Sequence, residues 1–260
     1  MKIWYQSAMD LGINPAWNEY MDALNTYLGQ IARSDTEIVV RGTEAFILMI
    51  ERSYYAELLV EPQVVKAAIR AEQEGYDAFC VGCTLDPAYY EIREVVDIPV
   101  CSLSETSMYL ASLLGRKFSI LAFNKEILVR MTELAQRYGL QDKLVPSNPL
   151  DITASDIQAA FNNPRIILDS AEEVAEEAAK RGAGMLITSS GEINMIMRKY
   201  AMTEISGVPV LQGSGALLKM AELMVDLDKI GIKRSKLAFP SVTKTELTEI
   251  KKIFSRINLI

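Results

Sequence analysis

Gly75-Tyr-Asp-Ala-Phe-Cys-Val-Gly-Cys83-Thr84 and Gly182-Ala-Gly-Met-Leu-Ile-Thr-Ser-Ser190-Gly191 are two versions of one passage. Each follows a helix-like stretch rich in Ala and Glu. Each leads within twenty residues to a branched residue, Pro and Val, at Ile98-Pro99-Val100 and Val208-Pro209-Val210. The likeness extends outward. Lys2-Ile-Trp-Tyr-Gln corresponds to Lys117-Phe-Ser-Ile-Leu, Pro62 to Gly75 corresponds to Ala171 to Gly182, and Met108-Tyr-Leu-Ala111 corresponds to Leu218-Lys-Met-Ala221. A duplicated unit accounts for this, and Cys83 and Ser190 are then counterparts that face each other across a cleft.

Short apolar runs alternate with longer amphipathic ones, the pattern of strand and helix in turn. Strands are expected at Lys2 to Gln6, Glu37 to Arg41, Ala78 to Gly82, Val100 to Leu103, Phe118 to Phe123, Lys143 to Val145, Met185 to Thr188 and Val210 to Gln212, with a further one at Lys236 to Phe239. Helices are expected at Asn18 to Ala32, Glu61 to Glu74, Thr106 to Leu114, Lys125 to Tyr138, Ser170 to Arg181, Ile193 to Glu204, Ala216 to Lys229 and Thr243 to Ile257. The fold class this predicts is α/β: two pseudo-symmetric, doubly wound lobes with parallel sheets and a cleft between them. Residues 1–100 with 211–260 form the first lobe in this reading, and 101–210 the second.

Composition removes whole classes of chemistry. The 260 residues contain no histidine, which excludes Ser-His-Asp and Cys-His arrangements and the commonest metal ligand. Proton transfer must fall to Cys, carboxylates, Lys or Tyr. A net charge of -7 argues against a nucleic-acid partner. No apolar run approaches the roughly 18 to 20 residues of a membrane span. Three cysteines do not make the disulfide framework of a secreted domain, and a reducing cytoplasm is the expected location. The Cys80-x-x-Cys83 spacing lacks the four ligands of a structural zinc site, so no metal is expected.

Ligands of open parallel sheets bind at the carboxyl ends of the strands. Cys83 falls at such an end, where a depressed pKa would make it reactive; an inert buried thiol is the bland alternative. Cys80 and Cys101 read as core. Other polar residues fall at equivalent ends: Gln6 and Ser7, Thr84, Ser104 and Glu105, Asn124, Ser189 with Gly191 and Glu192, and Gln212 before Gly213-Ser-Gly215. Their convergence suggests a pocket for a small polar molecule, although each also fits a helix cap. The Gly213-Ser-Gly215 turn lacks the six-residue dinucleotide fingerprint.

Taken together, Asp77-Ala-Phe-Cys-Val-Gly-Cys83-Thr-Leu-Asp-Pro87, Ile98-Pro-Val with Ser104-Glu105, Gly115-Arg-Lys-Phe-Ser-Ile-Leu121, Gly182-Ala-Gly-Met-Leu-Ile and Val208-Pro-Val-Leu-Gln-Gly-Ser-Gly-Ala-Leu-Leu-Lys-Met-Ala-Glu222 give the chain its family likeness. It resembles the aspartate/glutamate/hydantoin racemase superfamily over nearly its whole length, and the hydantoin and allantoin racemase branch most. The resemblance implies a cofactor-free enzyme with one catalytic Cys per lobe, one thiolate removing the proton alpha to a carbonyl and the other thiol returning one to the opposite face. By position Cys83 matches the first Cys and Thr84 its binding neighbour, while Ser190 with Gly191 occupies the second site. The chain departs from the family there, at Gln6-Ser7 in place of an Asn-rich turn, and at Gln212 where hydantoin racemases often carry Asp.

Three readings stay open at this point. One is a racemase with Cys83 as acid/base and Ser190 as its weak partner, substrate contacts coming from Gln6, Ser7, Thr84, Asn124, Ser189, Gly191, Glu192 and Gln212. Another is a one-sided lyase, like the arylmalonate decarboxylases, or a Cys83-nucleophile hydrolase. The third is a ligand binder without catalysis. The apolar run Phe46 to Ile50 with Tyr54-Tyr55 fits a cleft cover, a buried helix or an interface in a homo-oligomer.

Overall fold

The computed structural model describes residues 1–46, 49–235, 237–238 and 241–254. In chain order the elements are β1 (Lys2–Gln6), α1 (Asn18–Ile31), β2 (Glu37–Arg41), α2 (Tyr54–Gln73), β3 (Ala78–Val81), α3 (Tyr89–Val95), β4 (Val100–Ser102), α4 (Leu103–Gly115), β5 (Phe118–Leu121), α5 (Lys125–Arg137), α6 (Ala154–Ala160), α7 (Arg165–Lys180), β6 (Met185–Thr188), α8 (Gly191–Lys199), β7 (Glu204–Ile205), β8 (Val208–Leu211), α9 (Gly213–Lys229) and α10 (Lys244–Phe254). Of the strand expected at Lys236 to Phe239, Lys236 and Phe239 lie outside the described residues and 237–238 form a turn; the end of the helix expected up to Ile257 also lies outside them.

Two four-stranded sheets form, in the orders β2-β1-β3-β4 and β5-β6-β8-β7. All pairs are parallel except β7 with β8. The strand expected at Lys143 to Val145 is reduced to a parallel bridge of Leu144 with Phe118, on the side of β5 away from β6. With that bridge counted, the second sheet repeats the first: Leu144 stands for β2, β5 for β1, β6 for β3 and β8 for β4. In each sheet the strand order reverses beside the opening strand, between β1 and β3 and between β5 and β6. Such a reversal leaves a crevice at the carboxyl ends, where ligands bind. Cys83 follows β3 and Ser190 follows β6, so the repeat delivers both to equivalent crevices.

Strand residues alternate between two cores. Ile3, Tyr5, Ala78 and Cys80 belong to one buried cluster with Leu121, Leu186 and Val210; Trp4, Phe79 and Val81 belong to the other with Phe118, Ile120 and Ile187. Each core therefore draws on both sheets. The helices after β4 and β8 explain how. α4 leaves the first sheet and packs on β5 and β6 of the second, whereas α9 leaves the second and packs on β3 and β4 of the first, the two helices lying against each other between them. The first sheet also extends two residues beyond 100, because Cys101 and Ser102 of β4 pair with Cys80 and Val81 of β3.

Candidate active site

Gly82 follows β3, and no side chain would fit there: a Cβ would lie 2.1 Å from the ring of fully buried Tyr5. The chain turns immediately, placing Cys83 on the floor of a cavity of about 680 Å³ between the lobes. Ser7, Thr84, Asn124, Ser189, Ser190, Gly191 and Glu192 line the same cavity. Eight of the ten sequence-expected site residues are thus brought together. Gln6 and Gln212 are not. Gln6 shares the Trp4 face of β1, where its side chain accepts the indole N–H at 2.8 Å and donates to the Ser7 carbonyl at 2.9 Å. Strand alternation, which puts successive side chains on opposite faces, turns it away. Gln212 precedes α9 at the point where that helix departs for the first sheet, outside the cavity wall.

Several polar groups of the wall are already engaged. Thr84 Oγ1 donates across the lobes to the Ser189 carbonyl at 2.9 Å, and Ser189 Oγ accepts the Phe123 N–H at 3.0 Å. Asn124 caps α5 by accepting the Ile127 N–H at 2.9 Å, and Ser190 caps α8 by accepting the Ile193 N–H at 3.0 Å. The capping alternative holds for both, and it aims the amino termini of two helices at the cavity. Ser104 instead donates to the Thr84 carbonyl at 2.6 Å from inside α4. Behind Cys83, fully buried Asp86 accepts from Ser102 Oγ, Tyr138 Oη and the backbone N–H groups of Ser104 and Glu105, at 2.7 to 3.0 Å. This network fixes the turn after β3 to the start of α4.

The electrostatics correct one expectation. Cys83 is not activated by its surroundings; burial pushes its pKa up to about 12, against a single lowering contact with the Leu85 backbone, and the charges of Glu57, Asp86 and Glu192 push in the same direction. A thiolate in a poorly solvated site surrounded by carboxylates is costly. The resting group is a thiol, an acid. Cys80 and Cys101 are buried in the core, as expected. Glu192 is held above the usual carboxylate range, chiefly by burial.

The remaining wall was not legible from strand ends. Trp17 and Tyr20 come from the start of α1, Phe46, Met49 and Ile50 from the segment before α2, and Ile152 and Ile157 from around α6. Most carry only the ordinary signal of an apolar residue on a helix or loop. Arg52, exposed at the rim, is the one cation among the described residues of this wall. Among the described residues no group of three or more Cys, Asp and Glu is placed to hold a metal ion, and no helix is long and apolar enough to cross a membrane.

Two sheets whose central strands are parallel, and a cavity walled by strand ends of both, define a two-lobed α/β protein with a site for a small molecule. The chain belongs to the Asp/Glu/Hydantoin racemase family, whose model matches residues 11–221. It is 33% identical to the hydantoin racemase of Pseudomonas sp. (strain NS671) over 210 residues, covering 79% of this chain and 80% of that relative. Among solved structures, allantoin racemase from Klebsiella pneumoniae matches with a TM-score of 0.74 at 22% identity, over 94% of this chain and 95% of the other. A glycine-to-cysteine, cysteine-to-serine double mutant of arylmalonate decarboxylase matches with a TM-score of 0.56 at 18% identity, over 86% and 92% of the two chains. The protein is a racemase-type enzyme, an isomerase acting on small molecules.

Proposed function

We infer that the enzyme interconverts the enantiomers of 5-substituted hydantoins without a cofactor, Cys83 serving as acid/base at C5. The observation that carries this reading is the wall: a thiol faces a cavity that is largely apolar, holds the buried carboxyl of Glu192 and, among its described residues, offers only Arg52 as a cation. A substrate carboxylate would enter beside Glu192 with no buried positive partner, which is costly. A hydantoin is neutral, and its C5 substituent finds Trp17, Phe46, Ile127 and Ile157. Charge develops only when C5 loses its proton and the C4 oxygen becomes an enolate. The amino termini of α5 and α8 then favour that negative charge, a stabilisation made in the transition state rather than the ground state.

Ser190 in the second cysteine's place favours a second reading, a one-sided decarboxylase in which Cys83 alone protonates an enediolate. Its malonate substrates carry two carboxylates, and the anionic wall opposes them.

Proton NMR in deuterated water, with single enantiomers of 5-substituted hydantoins, allantoin and phenylmalonate, decides between the two. The expected result is loss of the C5 proton with loss of optical activity, slowed about 10²- to 10⁴-fold in Cys83→Ala, the range for one general acid/base. Carbon dioxide release from phenylmalonate with a single-handed deuterated product would establish the decarboxylase instead.

A further inference from the structure

Inversion at C5 needs one proton-transfer group on each face of the carbanion, and among the described residues of the cavity wall Cys83 is the one thiol. The same wall holds a buried carboxyl. Glu192 is the second residue of α8, 8% exposed, in the cavity wall. Its own backbone N–H and the Ser190 hydroxyl lower the carboxyl's pKa against the burial that raises it, and the Ser190 oxygen accepts the Ile193 N–H at 3.0 Å. Tyr20 of α1 lies against Gly191 so closely that a Cβ there would come 2.3 Å from its hydroxyl. Glu192 is also near enough to Cys83 for its charge to act on the thiol.

Helix capping alone does not explain this placement. In a capping box the acid is the third residue of the helix and reaches back to the cap's N–H; Asp156 does so with Thr153 in α6. The third residue of α8 is Ile193. Glu192 stands one position earlier and belongs to the cavity wall.

We propose that Glu192 is the catalytic acid/base of the second face, with Ser190 positioning its carboxylate. The proposal rests on the reading of Cys83 as the acid/base of the first face. Starting on the Glu192 face, the C5–H bond breaks and its proton forms an O–H bond on the Glu192 carboxylate. The electron pair left on C5 spreads onto the C4 oxygen as an enolate. The Cys83 S–H bond then breaks, its proton forms the new C5–H bond on the opposite face, and sulfur keeps the pair as a thiolate. After the product leaves, the protonated Glu192 returns its proton through water to the thiolate. The reverse direction runs the same bonds from a thiolate and a carboxylic acid. Burial keeps the Cys83 thiol protonated, which suits it to donate to the carbanion on its own face.

The test follows the separate enantiomers of 5-benzylhydantoin in deuterated water, with NMR for exchange at C5 and chiral chromatography for inversion. Glu192→Gln is expected to slow inversion of both enantiomers by at least about 100-fold while keeping exchange without inversion on the enantiomer whose C5–H faces Cys83. Cys83→Ala should keep exchange on the other enantiomer alone. Adding Ser190→Cys to Glu192→Gln returns a thiol to the second face and should restore inversion, which also guards against a folding defect. Inversion by Glu192→Gln at a rate comparable to wild type overturns the proposal. So does loss of all exchange in Glu192→Gln that Ser190→Cys does not rescue, which would make Glu192 structural. Wild-type protein that leaves both enantiomers untouched overturns the parent reading and this one with it; the Glu192→Gln results overturn this one alone.

Discussion

Cys83 is open to the cleft, yet its thiol is held at about 12 by burial and by the neighbouring charges of Glu57, Asp86 and Glu192. Because only the thiolate is a nucleophile, accessibility and reactivity part company. Iodoacetamide at pH 7.5 is therefore expected to alkylate the folded enzyme at least about tenfold more slowly than a free cysteine peptide of pKa near 8.5. Glu192→Gln, which removes one of the charges, should speed it. Mass spectrometry locates the label, and Cys80 and Cys101, both buried, should stay unmodified. Alkylation faster than the peptide would contradict the raised thiol. The position of Cys83 was legible from the sequence because a strand end followed by a helix is a local pattern. Its ionisation was not, because three of the groups that set it lie on α2, on the turn after β3 and on α8, brought together only by folding. Gln6 shows the same limit in reverse: being at a strand end did not say which face of the sheet it takes.

At the scale of elements, the crevice depends on how the turn after β3 is braced against α4. Asp86 does this with four hydrogen-bond donors, two hydroxyls and two backbone N–H groups. Burial still outweighs them and pushes its pKa from 3.8 to about 6. A carboxyl whose folded value is raised binds its proton more tightly in the native state, so its contribution to stability is fully present below pH 3.8 and is lost as the pH rises through about 6. The shift corresponds to roughly 3 kcal/mol as an upper bound. Urea midpoints measured from pH 4 to pH 7 should fall less steeply with pH in Asp86→Asn than in wild type, while Asp86→Asn is less stable throughout because an amide N–H then faces a backbone donor. Equal slopes would remove Asp86 from the linkage. The long helices and most strands were readable from periodicity. α3 was missed because it is seven residues long and follows Pro87, and β7 because it has only two residues. α2 was placed from Glu61, near Pro62, a residue that ordinarily opens a helix; here it lies inside one that begins at Tyr54 under the Ser53 cap.

The duplication, read with residues 211–260 returning to the lobe of 1–100, suggests two lobes between which the chain passes more than once. The matching segments Met108 to Ala111 and Leu218 to Ala221 lie in α4 and α9, which cross to each other's sheets. The division into 1–100 with 211–260 and 101–210 puts α4 with the second lobe and α9 with the first; what no local pattern reports is that the two helices pack against each other. The consequence of the exchange is that each buried cluster includes strand residues of both sheets, and that neither sheet keeps its covering if the other unfolds. Thr84 with Ser189 and the buried Glu57–Arg130 ion pair tie the lobes further. Unfolding should then be a single cooperative transition. The chain itself supplies the means to check, since both tryptophans, Trp4 and Trp17, lie in the first half and the second half has none. Tryptophan fluorescence reports the first lobe, whereas far-ultraviolet circular dichroism reports the helices of both. The two urea curves should superimpose, with one midpoint and one slope. A fluorescence transition separated from the dichroism would mean that the lobes melt independently and that the exchanged helices do not couple them. Coincidence would mean that the cleft, whose walls come from opposite lobes, keeps its geometry for as long as the molecule remains folded.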